Sequence, residues 1–214
     1  MTNKALALGL AALALLGGCL NASTLQTARV VPRGDDRFSI GAGATVITGL
    51  DFPWPYLEAT YRYGIWENID VGAFVSVLGT SGLDAKVQLL ADDHFVVSTG
   101  LKFGTLQVTI TTPDPDDPNN TIESSSGIAQ LILPLYVSYD VASHLSLYAS
   151  PKYLLNAASG AGPVSITHYA GSTLGLRLGD SWGLFLEGTA LYGFNTSNLQ
   201  LQGNVAIYWS PEWL

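Results

Sequence analysis

Three histidines, one cysteine and a run of carboxylates are the residues of this 214-residue chain whose types suit chemistry. His168 is a candidate base. The position two residues on is Ala170, and Ser172 lies four residues on, about 13 Å away along an extended strand. That exceeds the reach of a base to a nucleophile. No paired acidic cluster stands beside His168. His94 and His144 fall in short polar turns, far apart in sequence, and read as solvated turn residues. Asp114, Asp116, Asp117 and Glu123 lie within TPDPDDPNNTIESSS, residues 112–126. Carboxylates at that density can hold Ca²⁺. The stretch lacks the central Gly and final Glu of a calcium loop, and prolines interrupt it, so it reads as a solvated outer loop. There is no phosphate loop, zinc-ligand cluster or dinucleotide fingerprint. Neither an enzyme nor a metal or other cofactor is expected.

The remaining charges carry more information. Glu58, Asp70, Asp84 and Glu187, with Arg62, Lys86, Lys102, Lys152 and Arg177, all fall in segments of strict period two. Every one shares the polar parity. Residues 57–90 show the pattern best: LEATYRYGI, then IDVGAFVSVL, then LDAKVQLL. Alternate side chains of a strand point to opposite faces, so one face here is apolar and the other takes every charge. The polar face is otherwise rich in Gly, Ser and Thr. Four acids against five bases suit a narrow lumen where charges must pair. On a lipid face, each Arg or Lys would cost about 2–4 kcal/mol at mid-depth.

The elements that position these charges are read as ten strands: 37–46, 56–65, 68–77, 82–90, 95–111, 128–139, 145–153, 166–178, 183–192 and 199–209. Apart from the longer fifth and eighth, each is near the nine to eleven residues a tilted strand needs to cross a bilayer. The fifth loses its phase near Gly104, where a bulge is expected. Eight strands is the alternative if the tight connection 78–81 is read differently. Only 12% of residues are charged, against about 25% in ordinary soluble domains. No apolar run after the N-terminus reaches the roughly 18 residues of a spanning helix. The fold class expected is therefore all-β, an antiparallel transmembrane β-barrel over residues 37–214. A net charge of −8 argues against a nucleic-acid partner.

Connections alternate in length, with short ones at 66–67, 91–94, 140–144 and 179–182 and longer ones at 47–55, 112–127 and 154–165. Barrels of the outer membrane have short periplasmic turns and long outer loops. Aromatic residues gather near strand ends: Tyr63, Trp66, Tyr139, Trp182 and Trp209 at the inner rim, Trp54, Tyr56, Tyr153 and Tyr192 at the outer. That is a bilayer girdle. Phe74, Tyr136, Tyr148 and Phe185 have the inward parity and narrow the bore. Arg62 and Asp70 flank one short turn and are expected to pair. Lys86 or Arg177 is expected to meet Glu187 or Glu58.

The N-terminus is a targeting segment. Lys4 supplies the positive region and residues 5–16 the apolar one. Residues 23–36 are polar, broken by Pro32 and Gly34, and are expected to form a short periplasmic leader. Cys19 is the single cysteine, so no intramolecular disulfide is possible.

Leu16-Gly17-Gly18-Cys19 resembles the lipobox of bacterial lipoproteins. The resemblance implies a signal peptide over 1–18, lipidation of Cys19 and a lipidated periplasmic leader over 19–36. Leu20, where an Asp would favour inner-membrane retention, points to the outer membrane. The mature chain resembles the small outer-membrane β-barrels of Gram-negative bacteria, the OmpA-like and porin-like group. That implies outer-membrane lipids and the barrel-insertion machinery as partners. The final strand ends in Trp209, similar to the aromatic-ended strand such machinery reads, although five residues follow it. Lipid A deacylases, also small barrels, use a lipid-facing His-x-Ser pair that His168-Tyr169-Ala170 lacks. The function expected is a structural or surface-interaction one, with no ligand named for the outer loops. A narrow pore, or an enzyme acting on lipid or peptide, is the alternative.

Overall fold

The computed structural model describes residues 22–49, 53–77, 79–113, 121–160 and 163–210. Ten strands follow one another: β1 (Asp36–Ile47), β2 (Trp54–Trp66), β3 (Ile69–Val77), β4 (Ser81–Ala91), β5 (Phe95–Pro113), β6 (Thr121–Ala142), β7 (Leu145–Ser159), β8 (Ser165–Gly179), β9 (Trp182–Gly193) and β10 (Asn198–Trp209). Each pairs antiparallel with its neighbours in sequence, and β10 closes on β1, with Phe38 opposite Trp209 and Ile47 opposite Gln200. Closure satisfies every strand edge. The eight-strand alternative is excluded.

The apolar parity faces outward. Leu57, Val75, Leu83, Leu133, Leu174 and Ile207 are exposed on the outer wall. The opposite parity fills the inside, with Phe74, Phe185 and Tyr208 fully buried. An apolar wall of this extent on a sheet closed edge to edge is the solution a bilayer demands. Among the described residues no helix is long and apolar enough to cross a membrane; the strands do the crossing. The four turns at one end are two or three residues long, at residues 67–68, 92–94, 143–144 and 180–181. The connections at the other end run from three residues to seven.

The strand count stands, but details differ. No bulge occurs at Gly104, which pairs directly with Gly82 on one side and Gln130 on the other. Register shifts lie instead near the short turns, between Gly64 and Trp66, Gln88 and Leu90, and Asp140 and Ala142. A bulge there raises local twist where a strand must turn back. β5 and β6 continue pairing as far as Pro113 and Thr121, so most of the expected loop 112–127 is a long hairpin. Asp114, Asp116 and Asp117 lie outside the described residues. Tyr56, expected in the outer girdle, points into the bore and donates to Asn204 Oδ1. Tyr63, Trp66, Tyr139, Tyr153, Trp182, Tyr192 and Trp209 are exposed on the outer wall.

The largest difference concerns the leader. Residues 22–28, 30 and 31 are buried within the barrel. The segment leaves at the short-turn end, where Arg33 bridges Gly64 and the Gly34 amide donates to the Gly64 carbonyl at 2.9 Å. A Cβ on Gly64 would fall 2.0 Å from the Pro32 oxygen. Glycine at this position is what lets the segment cross the rim against β2.

Candidate functional site: the occupied bore

The inward wall is built from strand positions that alternate with lipid-facing ones, so its chemistry is fixed by register. At the short-turn end, Arg62 on β2 reaches Asp70 on β3 and Asp84 on β4. Lys86 on β4 lies 3.4 Å from Asp70. Arg62 and Asp70 thus pair as their shared turn suggested. Lys86 does not meet Glu187 or Glu58, because its register on β4 sets it directly opposite Asp70. Arg177 also misses both acids. Its guanidinium sits at the rim and donates to the Ser143 carbonyl at 2.9 Å.

Above this cluster the charges turn to the threaded segment. Lys86 Nζ donates to the carbonyls of Thr27 and Arg29, both at 3.0 Å. Lys152 Nζ donates to the Ala22 carbonyl at 2.6 Å and to Thr24 Oγ1 at 2.8 Å. Lys102 Nζ lies 3.7 Å from Glu58 and 4.0 Å from the Phe74 ring centroid, and donates to the Ser23 carbonyl at 3.5 Å. Glu58 accepts from Ser23 Oγ at 2.7 Å. Asp70 accepts from the Val31 amide at 2.8 Å.

Glu187 is the central anchor. Its carboxylate accepts from the amides of Thr24 and Leu25, from Tyr148 Oη at 2.7 Å and from Asn204 Nδ2 at 3.3 Å. Two successive amides reach one carboxylate, and the chain turns at Leu25, whose φ is 47°. Consecutive N–H groups in such a turn form an anion-binding concavity. The Leu25 side chain enters a pocket of Tyr148, Phe185, Ala206 and Tyr208. Gly41 leaves it room, since a Cβ there would stand 3.3 Å from Leu25 Cδ1.

The segment therefore lies within the bore. Ten strands enclose a bore little wider than side chains fill, and here a polypeptide segment occupies what is left. The histidines stand apart from it. His94 Nδ1 lies 2.9 Å from the Asp140 carbonyl, His144 is in an inner turn, and His168 contacts Tyr153 near the outer rim. Among the described residues no group of three His, Cys, Asp or Glu is placed to hold a metal ion. Cys19 lies outside the described residues.

Sequence reasoning found the charged wall and missed its partner. Residues 22–31 have no alternation and only one charge, Arg29, which pairs with Asp140 at 2.7 Å. The available signal was the wall itself: a lumen lined by so many donors and acceptors needs more partners than its own charges supply.

A closed barrel with an apolar outer wall and its own N-terminal segment in the bore is a plugged transmembrane β-barrel, of the fold seen in small outer-membrane proteins. No protein-family profile matches the chain, and no curated protein does. Solved structures do. The translocator domain of the autotransporter NalP from Neisseria meningitidis aligns at TM-score 0.45 and 12% identity, over 97% of this chain and 96% of that one. The outer membrane protease OmpT from Escherichia coli aligns at 0.42 and 10%, over 88% and 100%. Ail, the attachment invasion locus protein of Yersinia pestis, aligns at 0.40 and 7%, over 84% and 99%.

Proposed function

We propose that this chain is an outer-membrane barrel lipoprotein of a Gram-negative bacterium that serves as a structural or surface-interaction element, with a bore that does not conduct. The observation that carries the reading is the burial of residues 22–31 inside the barrel, tied to both strand walls by hydrogen bonds. A conducting pore needs a continuous aqueous path, and the segment stands in it. With the lumen occupied, the long-loop end is what the protein offers to partners. The β5–β6 hairpin is its largest part.

Planar-bilayer recording of the purified, intact protein tests this. No steady current is expected; large, stable single-channel steps would replace this reading with a pore. Lipidation belongs to the same proposal and rests on Leu16–Cys19. Wild-type protein is expected to take up a clickable fatty acid and Cys19→Ser to take up none. Absence of label on the wild type would leave ordinary signal cleavage as the account.

A further inference from the structure

We infer that the bore is a peptide-binding site that holds a polypeptide segment, bent at residues 26, 28 and 29, by its backbone, with one side-chain pocket. Residues 22–31 are its resident ligand. The inference goes beyond a sealed barrel, because it assigns the wall a recognition chemistry.

The contacts divide unevenly between backbone and side chain. Carbonyls of residues 22, 23, 27, 28 and 29 accept from Lys152, Lys102, Lys86 and Ser98. Amides of residues 22, 24, 25, 30 and 31 donate to Gln202, Glu187, Gln88 and Asp70. Backbone groups are common to every sequence, so these bonds are tolerant of what the segment spells. Lysines meet carbonyls and carboxylates meet amides, which are charge-assisted bonds and the stronger kind. They also set direction, because reversing the chain would bring carbonyls to Glu187 and amides to Lys152. Side chains matter less. Ser23, Thr24 and Gln26 each make a bond, but they are small or slender and leave the bore's width to the wall. Leu25, held in its aromatic pocket, and Arg29, paired with Asp140 at the rim, are the exceptions. The ligand class is thus a bent segment of small residues with one leucine-sized anchor and a basic residue at the rim.

The site does not depend on covalent connection. The segment joins β1 through residues 32–35 at the rim, where Pro32, Arg33 and Gly34 are exposed. A specific protease site inserted between Arg33 and Gly34 of the full chain lets the segment be cut after folding. The temperature at which the cut segment leaves is then read against barrel unfolding. The cut segment is expected to stay bound at ambient temperature and to leave on warming while the barrel remains folded by gel mobility. Ser23→Ala, Thr24→Ala and Gln26→Ala together are expected to change that temperature little. Glu187→Gln is expected to speed release by at least about tenfold, and Leu25→Ala to speed it comparably. A labelled synthetic peptide of residues 22–33 is expected to refill the emptied barrel, and the same peptide carrying Leu25→Ala is expected to leave it at least about tenfold faster. Four results would overturn the inference: release governed by the three polar side chains, release indifferent to Glu187, no refilling by the labelled peptide, or a barrel that melts before its segment leaves. In the last case the segment is part of the fold and not a ligand of it.

Discussion

Asp70 shows how one residue serves wall and segment at once. It is fully buried, contacts Arg62 and Lys86, and accepts the Val31 amide. Removing it leaves Lys86 buried with no carboxylate in contact, although Arg62 keeps Asp84. Breaking a buried ion pair by deleting one partner costs about 3–5 kcal/mol. Asp70→Ala is therefore expected to lower the temperature of the heat-modifiable shift on gels well below wild type. Asp93→Ala, in an exposed turn, is expected to leave it unchanged. Equal shifts for the two would mean that water solvates Lys86 and that the lumen is wet. Arg62 with Asp70 was legible in sequence because two residues flanking a two-residue turn have few places to go. Glu58 with Lys102 was not. That contact joins β2 to β5, and sequence alone does not say how a bore brings distant strands face to face.

At the scale of elements, strands are the legible part and the segment the illegible one. Period two over nine or more residues has few other solutions, so ten strands and their lipid-facing sides follow from residues such as Leu83, Ala85, Val87 and Asp84, Lys86, Gln88. The extension of β5 and β6 beyond the membrane does not follow, because pairing past Gly104 is set by the partner strand and not by local alternation. The threaded segment has no period to read; its conformation is imposed by Glu187, Lys152 and Lys86 from outside. Gly64 is the element-level hinge of that arrangement. Gly64→Val places a side chain where the Pro32 carbonyl stands, so the segment must shift at the rim while β2 keeps its pairing with β1 and β3. Trypsin reads the result. In wild type Val30 and Val31 are buried and Arg33 is exposed, so cleavage is expected after Arg33 and not after Arg29. In Gly64→Val, cleavage after Arg29 is expected to appear with the barrel still folded. An unchanged cleavage pattern would show that the rim accommodates the side chain without moving the segment.

At the scale of the whole molecule, the direction of threading constrains the lipid. The segment enters at the short-turn end, which is periplasmic in outer-membrane barrels, and runs toward the long loops. Ala22 meets Lys152 on β7 and Gln202 on β10. Lys152 stands seven residues from the inner end of β7 at Leu145, and Gln202 four from the outer end of β10 at Asn198. With strands tilted near 40°, those separations are about 18 Å and about 10 Å along the axis. Three residues of chain from Ala22 to Cys19 span at most about 11 Å. For the lipidation proposed above, that length reaches the outer rim and not the inner one, and we propose that the acyl chains would sit with the outer leaflet. A leader lipidated on the periplasmic side would have to withdraw residues 22–31 and give up their bonds to Glu187, Lys152 and Lys86. In the lipidated form proposed above acylation would consume the single cysteine's thiol, so a membrane-impermeant maleimide on intact cells would report each introduced cysteine. Asn195→Cys, in an outer connection, and Leu20→Cys are expected to label from outside. Arg33→Cys is expected to label only after the outer membrane is permeabilised. Labelling of Leu20→Cys together with Arg33→Cys, and not with Asn195→Cys, would place the lipid in the periplasmic leaflet and the segment outside the bore in cells.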